Sequence, residues 1–199
     1  MPKTKEQFNQ MRDETKAQII KGALEVFAKK GYAATKISDI SKVSKMSAGL
    51  IYHYFESKEA LFIYLVEEST NISSGALIDL DRFPGTAKEK IIMLSQMMAE
   101  QIISNREAVN RFMMMIQVGL VEDELSVFSR VEDKIHIPLQ ILANLIEEGQ
   151  KEGYAREGKP LAIAQLYWAA VQGLCMQKLV MEELFEDIDG ELLQKIILE

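Results

Sequence analysis

A single cysteine, Cys175, excludes an internal disulfide framework and any zinc site built on clustered cysteines. A reducing compartment is the simplest setting for it. Four prolines and 11 glycines are spread over 199 residues, so long loops and low-complexity linkers are not expected. Val, Thr and aromatic residues are sparse beside Leu, Ile, Met, Ala, Glu and Lys, a mixture that favours helices over strands. No alternating run with hairpin turns occurs, and no fixed-period repeat. No window holds 18 uncharged apolar residues, so no membrane span is expected. Met1 to Arg12 carries no apolar core of signal-peptide length, and a cytoplasmic location is expected. With 48% hydrophobic and 27% charged residues, the chain is an ordinary globular one that can bury its own core without a cofactor.

Charge is distributed unevenly. The net charge of −7 argues against coating nucleic acid with the whole surface. Yet residues 1–58 hold 11 Lys and Arg against 6 Asp and Glu, and residues 59–199 hold 12 against 24. A basic head on an acidic body directs attraction for an anion to one end. A chance fluctuation of that size is the plainer reading, so charge alone does not decide.

The apolar spacing predicts helices throughout. The first starts near Thr15, where Thr15 and Gln18 fit a capping box, and ends at Gly31. A short helix over about Lys36 to Val43, with Thr35 as N-cap, is followed after about three residues by one that Ser47 caps and that ends near Tyr54. Ser57 caps the next, which carries Leu61, Phe62, Leu65 and Val66. Thr86 and Glu89 form a second capping box for a helix to about Ser104. Asn105 caps a helix holding Phe112 to Met115. A longer helix runs from about Glu122 to Glu152, broken locally by Pro138. Pro160 opens a helix to about Glu183, and Asp189 caps a last one reaching the C-terminus.

Two short helices joined by about three residues have the spacing of a helix-turn-helix, whose second helix lies in the major groove. The exposed side of that helix offers Ser47, Gly49, Tyr52 and His53, and the small Ala48 and Gly49 permit close approach to DNA. Here the pattern becomes specific. Ala23-Leu24-Glu25-Val26-Phe27, Lys30-Gly31-Tyr32, Thr35-Lys36-Ile37-Ser38-Asp39-Ile40-Ser41 and then Gly49-Leu50-Ile51-Tyr52-His53-Tyr54-Phe55-Glu56-Ser57-Lys58-Glu59-Ala60-Leu61 follow one another in order. This stretch, residues 15–65, resembles the DNA-binding domain of the TetR family of transcriptional regulators.

The resemblance implies an all-α chain. On that resemblance residues 1–57 would form a three-helix DNA-binding head, and residues 58–199 a larger helical domain for effector binding and dimerisation. It implies a double-stranded DNA operator, a homodimer and a small apolar effector as partners, with no cofactor and no enzymatic role. Carried over by position, Tyr52 and Lys58 would hold phosphates, as would Thr35 or Lys36. Ser47, Gly49 and His53 would face bases or backbone. Ser38 is a further contact, and Tyr54 would reach phosphate through its hydroxyl. Lys45 stands where the family usually has glycine, so a non-glycine residue is expected at positive φ, at a cost of about 1 kcal/mol. That brings a cation near the groove. Leu50 and Ala48 stand where polar residues are usual.

The acidic half has less to read. Six of the 11 methionines lie within residues 93–115, and Met side chains suit an adaptable pocket. Met93, Met97, Phe112, Met113, Trp168, Cys175 and Met176 are candidate walls of an effector site, with Gln117, His136 and Gln172 as polar contacts. The same methionines would serve equally as ordinary core. Small residues Ala169, Ala170 and Gly173, with Leu192, Leu193 and Ile196 near the end, could make a two-fold four-helix interface. The terminal run could instead pack within its own chain. A Cys175–His136 dyad or a metal on Glu132 and His136 lacks any third group, so an enzyme or carrier, or a protein adaptor, is the weaker alternative.

Overall fold

The computed structural model describes residues 5–118 and 127–199. Ten α-helices follow one another in these segments: α1 Lys5–Ala34, α2 Ile37–Ser44, α3 Ala48–Tyr54, α4 Lys58–Arg82, α5 Ala87–Ser104, α6 Arg106–Val118, α7 Val127–Ile135, α8 Ile137–Lys151, α9 Pro160–Met181 and α10 Gly190–Gln194. A 3-10 turn, Glu182–Leu184, follows α9. An isolated antiparallel bridge between Ala155 and Leu198 is the one sheet-like pairing among the described residues. None of these helices is long and apolar enough to cross a membrane.

Most expected helix ends are where the side chains dictate. Ser47 accepts from the Leu50 N–H, Ser57 from Ala60 and Asp189 from Leu192, each satisfying a donor that the helix leaves free. Thr86 and Glu89 form the reciprocal capping box at α5. Asn105 accepts from the Ala108 N–H at 3.0 Å. Pro138 lies in the first turn of α8, and the expected long helix breaks beside it, at His136. The expected start of that helix at Glu122 lies outside the described residues.

Three expectations are corrected. α1 begins at Lys5, not Thr15. Thr15 is inside the helix, and its hydroxyl donates back to the Met11 carbonyl at 2.7 Å instead of capping. The N-cap of α2 is Lys36, not Thr35. Its N–H donates to Asp39 at 3.2 Å, and Lys30 pairs with the same carboxylate at 3.1 Å. Those hydrogen bonds hold the Asp39 carboxyl below its ordinary range. The last helix stops at Gln194. The chain then turns so that the Arg156 N–H donates to the Ile197 carbonyl and the Glu199 N–H to the Tyr154 carbonyl.

Two apolar cores are stacked along the chain. The head core joins Ile19, Leu24 and Phe27 of α1 to Ile40, Ile51 and Phe55, and takes Leu61, Phe62, Leu65 and Val66 from the first half of α4. The body core joins Leu77 and Leu80 at the far end of α4 to Ile91, Leu94, Leu142, Ile146, Tyr167, Val171 and Leu193. α4 therefore runs from one core into the other. α6 makes the same crossing in a shorter space. Its Met114 and Val118 are in the head core, while Phe112 and Met113 pack on the body core. Arg111 clamps α6 to α4, donating to Glu68 at 2.6 Å and Ser69 at 3.2 Å while also bonding Glu107. Burial opposes its charge, but the two carboxylates outweigh that and raise its pKa.

Candidate nucleic-acid interface

The helix-turn-helix is aimed by a small set of contacts between α1 and α2. Gly22 of α1 lies against Ser44 so closely that a Cβ there would meet the Ser44 backbone N at 2.8 Å. Gln18 donates to the Ser44 carbonyl at 3.0 Å, and the Ser44 hydroxyl donates to the Ile40 carbonyl at 2.7 Å. Ser41 closes the turn by donating to the Met46 carbonyl at 2.6 Å. Lys45 ends α2 at φ 57, the left-handed conformation expected of it. None of Gly22, Gln18, Ser41 and Ser44 stands out by residue type.

α3 packs through Ile51 and Phe55. That leaves Ser47, Ala48, Gly49, Tyr52 and His53 exposed in one patch, with Tyr52 at 52%. A Cβ on Gly49 would meet nothing within 4 Å, so this surface is open. Lys36, Ser38 and Lys45 are also exposed beside it. The patch combines a phenol, an imidazole, two small residues and two flanking lysines. Such a surface can hold phosphates and come close to base edges.

Three expected contacts have other duties. Thr35 is 2% exposed, and its hydroxyl donates to the Gly31 carbonyl at 2.6 Å, so it closes the end of α1 and cannot reach a phosphate. The Tyr54 hydroxyl donates to the Arg12 carbonyl at 3.2 Å, tying α3 to α1. The Lys58 ammonium donates to the carbonyls of Tyr32, at 2.8 Å, and Thr35, at 3.0 Å. It also sits 4.1 Å from the centre of the Tyr32 ring. Two of its three donors are spent inside the chain, leaving one for a phosphate. Lys58 pins the connection between α1 and α2 to the start of α4.

The expected effector residues are only partly brought together. Met93, Phe112, Met113 and Trp168 pack on the body core, and Cys175 is buried in it. Burial pushes the Cys175 thiol up to about 12, so it stays protonated and inert at neutral pH. Phe112 and Trp168 stack with ring centres 6.0 Å apart. The Trp168 indole N–H and the Asn110 side-chain oxygen are buried without a hydrogen-bond partner. Leaving such a group unpaired costs about 1–3 kcal/mol. Sequence reasoning missed Asn110.

The other candidates fall elsewhere. Met97, His136, Gln172 and Met176 are exposed, because Leu94, Val171 and Cys175 take the inward faces of α5 and α9. Gln117 donates to the Ala28 carbonyl at 3.2 Å, so it joins α6 to α1.

α9 carries a second surface. Ala162, Leu166, Ala169, Gly173, Met176 and Val180 recur at helical spacing and are all exposed, Leu166 at 64% and Val180 at 75%. A Cβ on Gly173 would meet nothing within 4 Å. Ala170 is half-buried at the edge of the stripe. Leu193 and Ile196 do not join it. Leu193 is buried and Ile196 packs on the same body core. α10 lies on α5 at Gly190, where a Cβ would sit 2.6 Å from the Gln96 backbone. Leu192 is exposed there.

Residues 19–65 match the family model described as bacterial regulatory proteins, tetR family. The fatty acid metabolism regulator protein of Bacillus subtilis is 26% identical over 148 residues, which is 74% of each chain. The transcriptional repressor NicS of Pseudomonas putida is 43% identical over 58 residues, 29% of this chain and 27% of that one. Among solved structures, the regulator FadR from Bacillus subtilis in complex with stearoyl-CoA superimposes with a TM-score of 0.62 at 24% identity. That match covers 90% of this chain and 94% of the other.

Proposed function

We propose that this chain, whose residues 19–65 match the tetR family model, is a homodimeric repressor of the TetR family which an apolar effector releases from its operator. The observation that carries this reading is the open patch on α3 and its flanks: Lys36, Ser38, Lys45, Ser47, Ala48, Gly49, Tyr52 and His53. Residues 1–57 supply DNA binding. Residues 58–199 supply effector binding and the two-fold contact, through Ala169 and Gly173 on the exposed stripe of α9. Two copies then set their recognition helices about 34–36 Å apart, in successive major grooves. The protein acts in the cytoplasm, where that DNA is.

The effector we propose is a long acyl chain ending in a carbonyl. The fatty acid metabolism regulator and the stearoyl-CoA complex support this class. So does an unpaired indole N–H at Trp168, whose ring stacks on Phe112 over an apolar core. A carbonyl accepting from that N–H would remove its desolvation cost. Effector pressing on Phe112 acts on α6, whose Met114 lies in the head core and whose Arg111 grips α4. Operator and effector then oppose each other by the same factor.

Trp168 is the single tryptophan, so its fluorescence reports on this site alone. Stearoyl-CoA titrated into the operator complex should shift Trp168 emission and release the DNA over the same concentration range. Release with Trp168→Phe should need more ligand. Unchanged emission and an intact complex would remove the acyl class and leave the DNA reading standing.

A further inference from the structure

We propose that the N-terminal extension of α1 builds a second contact with DNA, a phosphate-binding cleft between α1 and the C-terminal end of α3. The inference rests on the DNA-binding reading above. A cleft of about 430 Å³ is lined by Asn9, Arg12, Asp13, Lys16, His53 and Tyr54. Asn9, Arg12, Asp13 and Lys16 recur at three- and four-residue spacing, so they share one face of the helix. His53 and Tyr54 come from α3, whose exposed patch meets the groove. One wall of the cleft therefore belongs to the recognition helix.

The extension is held in place. Tyr54 donates to the Arg12 carbonyl at 3.2 Å, and within α1 Gln10 donates to Glu14 at 3.0 Å. Lys16 is held too, its ammonium 4.3 Å from the centre of the Tyr64 ring and 5.9 Å from that of Phe55. Arg12 is exposed and pairs with no acid among the described residues. A guanidinium in that position suits phosphate, which it can grip with two parallel N–H groups. Asp13 is the one carboxylate among the described residues that line the cleft. It faces the same ligand with the wrong sign and limits how tightly that ligand is held.

The phosphate concerned lies next to those held by the recognition helix, on the flank of each half-site. Removing Arg12 from both subunits takes away one phosphate contact per subunit. The slope of log affinity against log salt should then shrink by about 2.

The test measures operator affinity of the full-length dimer across a salt series for wild type, Arg12→Ala, Arg12→Lys and Asp13→Asn, on two duplexes. One is trimmed to the half-sites and the other carries several further base pairs at each end. On the longer duplex Arg12→Ala should bind more weakly with the shallower slope, Arg12→Lys should keep most of the slope, and Asp13→Asn should bind more tightly. On the trimmed duplex the four proteins should converge. Equal slopes for wild type and Arg12→Ala on the longer duplex, with wild-type binding intact, would overturn the cleft and spare the regulator reading. Failure of wild type to bind either duplex would overturn both.

Discussion

Gly22→Ala should destabilise the head by about 3 kcal/mol and abolish operator binding, although alanine is the better helix former by about 1 kcal/mol. Its Cβ would meet Ser44 at three atoms: Cβ at 2.7 Å, the backbone N at 2.8 Å and Cα at 2.9 Å. Two of these are backbone, so no rotamer change relieves the clash. α1 and α2 must move apart, and Gln18 then loses the Ser44 carbonyl. Ser44 is the last residue of α2, and the turn that aims α3 follows it directly. A small shift at this point is therefore carried to every residue of the recognition helix. Gly75→Ala is the matched control. It lies inside α4, and a Cβ there meets nothing within 4 Å, so that substitution should stabilise. Denaturant unfolding of both variants gives opposite signs if the close approach controls the outcome. A stabilised Gly22→Ala that still binds operator would contradict it.

Leu166→Glu together with Val180→Glu should leave a folded monomer and weaken operator binding by about 10²–10⁴-fold, the advantage a second linked site confers. Both side chains are more than half exposed in the single chain, so its own core loses nothing. In the proposed dimer the same stripe from two copies would be buried. Fully burying one large aliphatic side chain contributes about 1.5–3 kcal/mol, and two-fold symmetry repeats each loss. The new carboxylates would also be desolvated in the interface without partners. Sedimentation equilibrium reads the mass, and titration with operator reads the affinity. A dimer that survives both substitutions would move the interface off α9.

The head was legible in the sequence because its residues are chosen by several constraints at once. Gly31, Lys45, Ser47, Ile51 and Ser57 each answer a local geometric need, and the structure meets those needs at the same positions. Side-chain partners were harder to read. Thr35, Tyr54 and Lys58 carry groups suited to phosphate, but backbone carbonyls claim them first, one helical turn back for Thr35 and far away in sequence for Tyr54 and Lys58. Those carbonyls carry no residue-type signal. α1 extends back to Lys5 because residues before Thr15 make helix-compatible contacts such as Gln10 with Glu14, without the apolar face used to find helices.

The body was less legible for a related reason. Nearly every helix there is rich in Leu, Ile and Met, so composition does not separate inward from outward faces. Met93 and Met97 share a face in the sequence pattern, yet one packs on the core and the other is exposed. Met176 belongs to the exposed stripe that also holds Gly173, and Leu193 to the core. Asn110 was hidden because a buried asparagine is recognised only by the partner it lacks.

The central claim is that two copies of this chain read a two-fold symmetric DNA site through α3. Selecting bound sequences from random duplex DNA with the purified protein, at near-physiological salt, tests it most directly. The account predicts an enriched palindrome with half-sites one helical turn or a multiple of it apart, lost for Tyr52→Ala. A folded dimer that enriches no sequence at any salt concentration would contradict it.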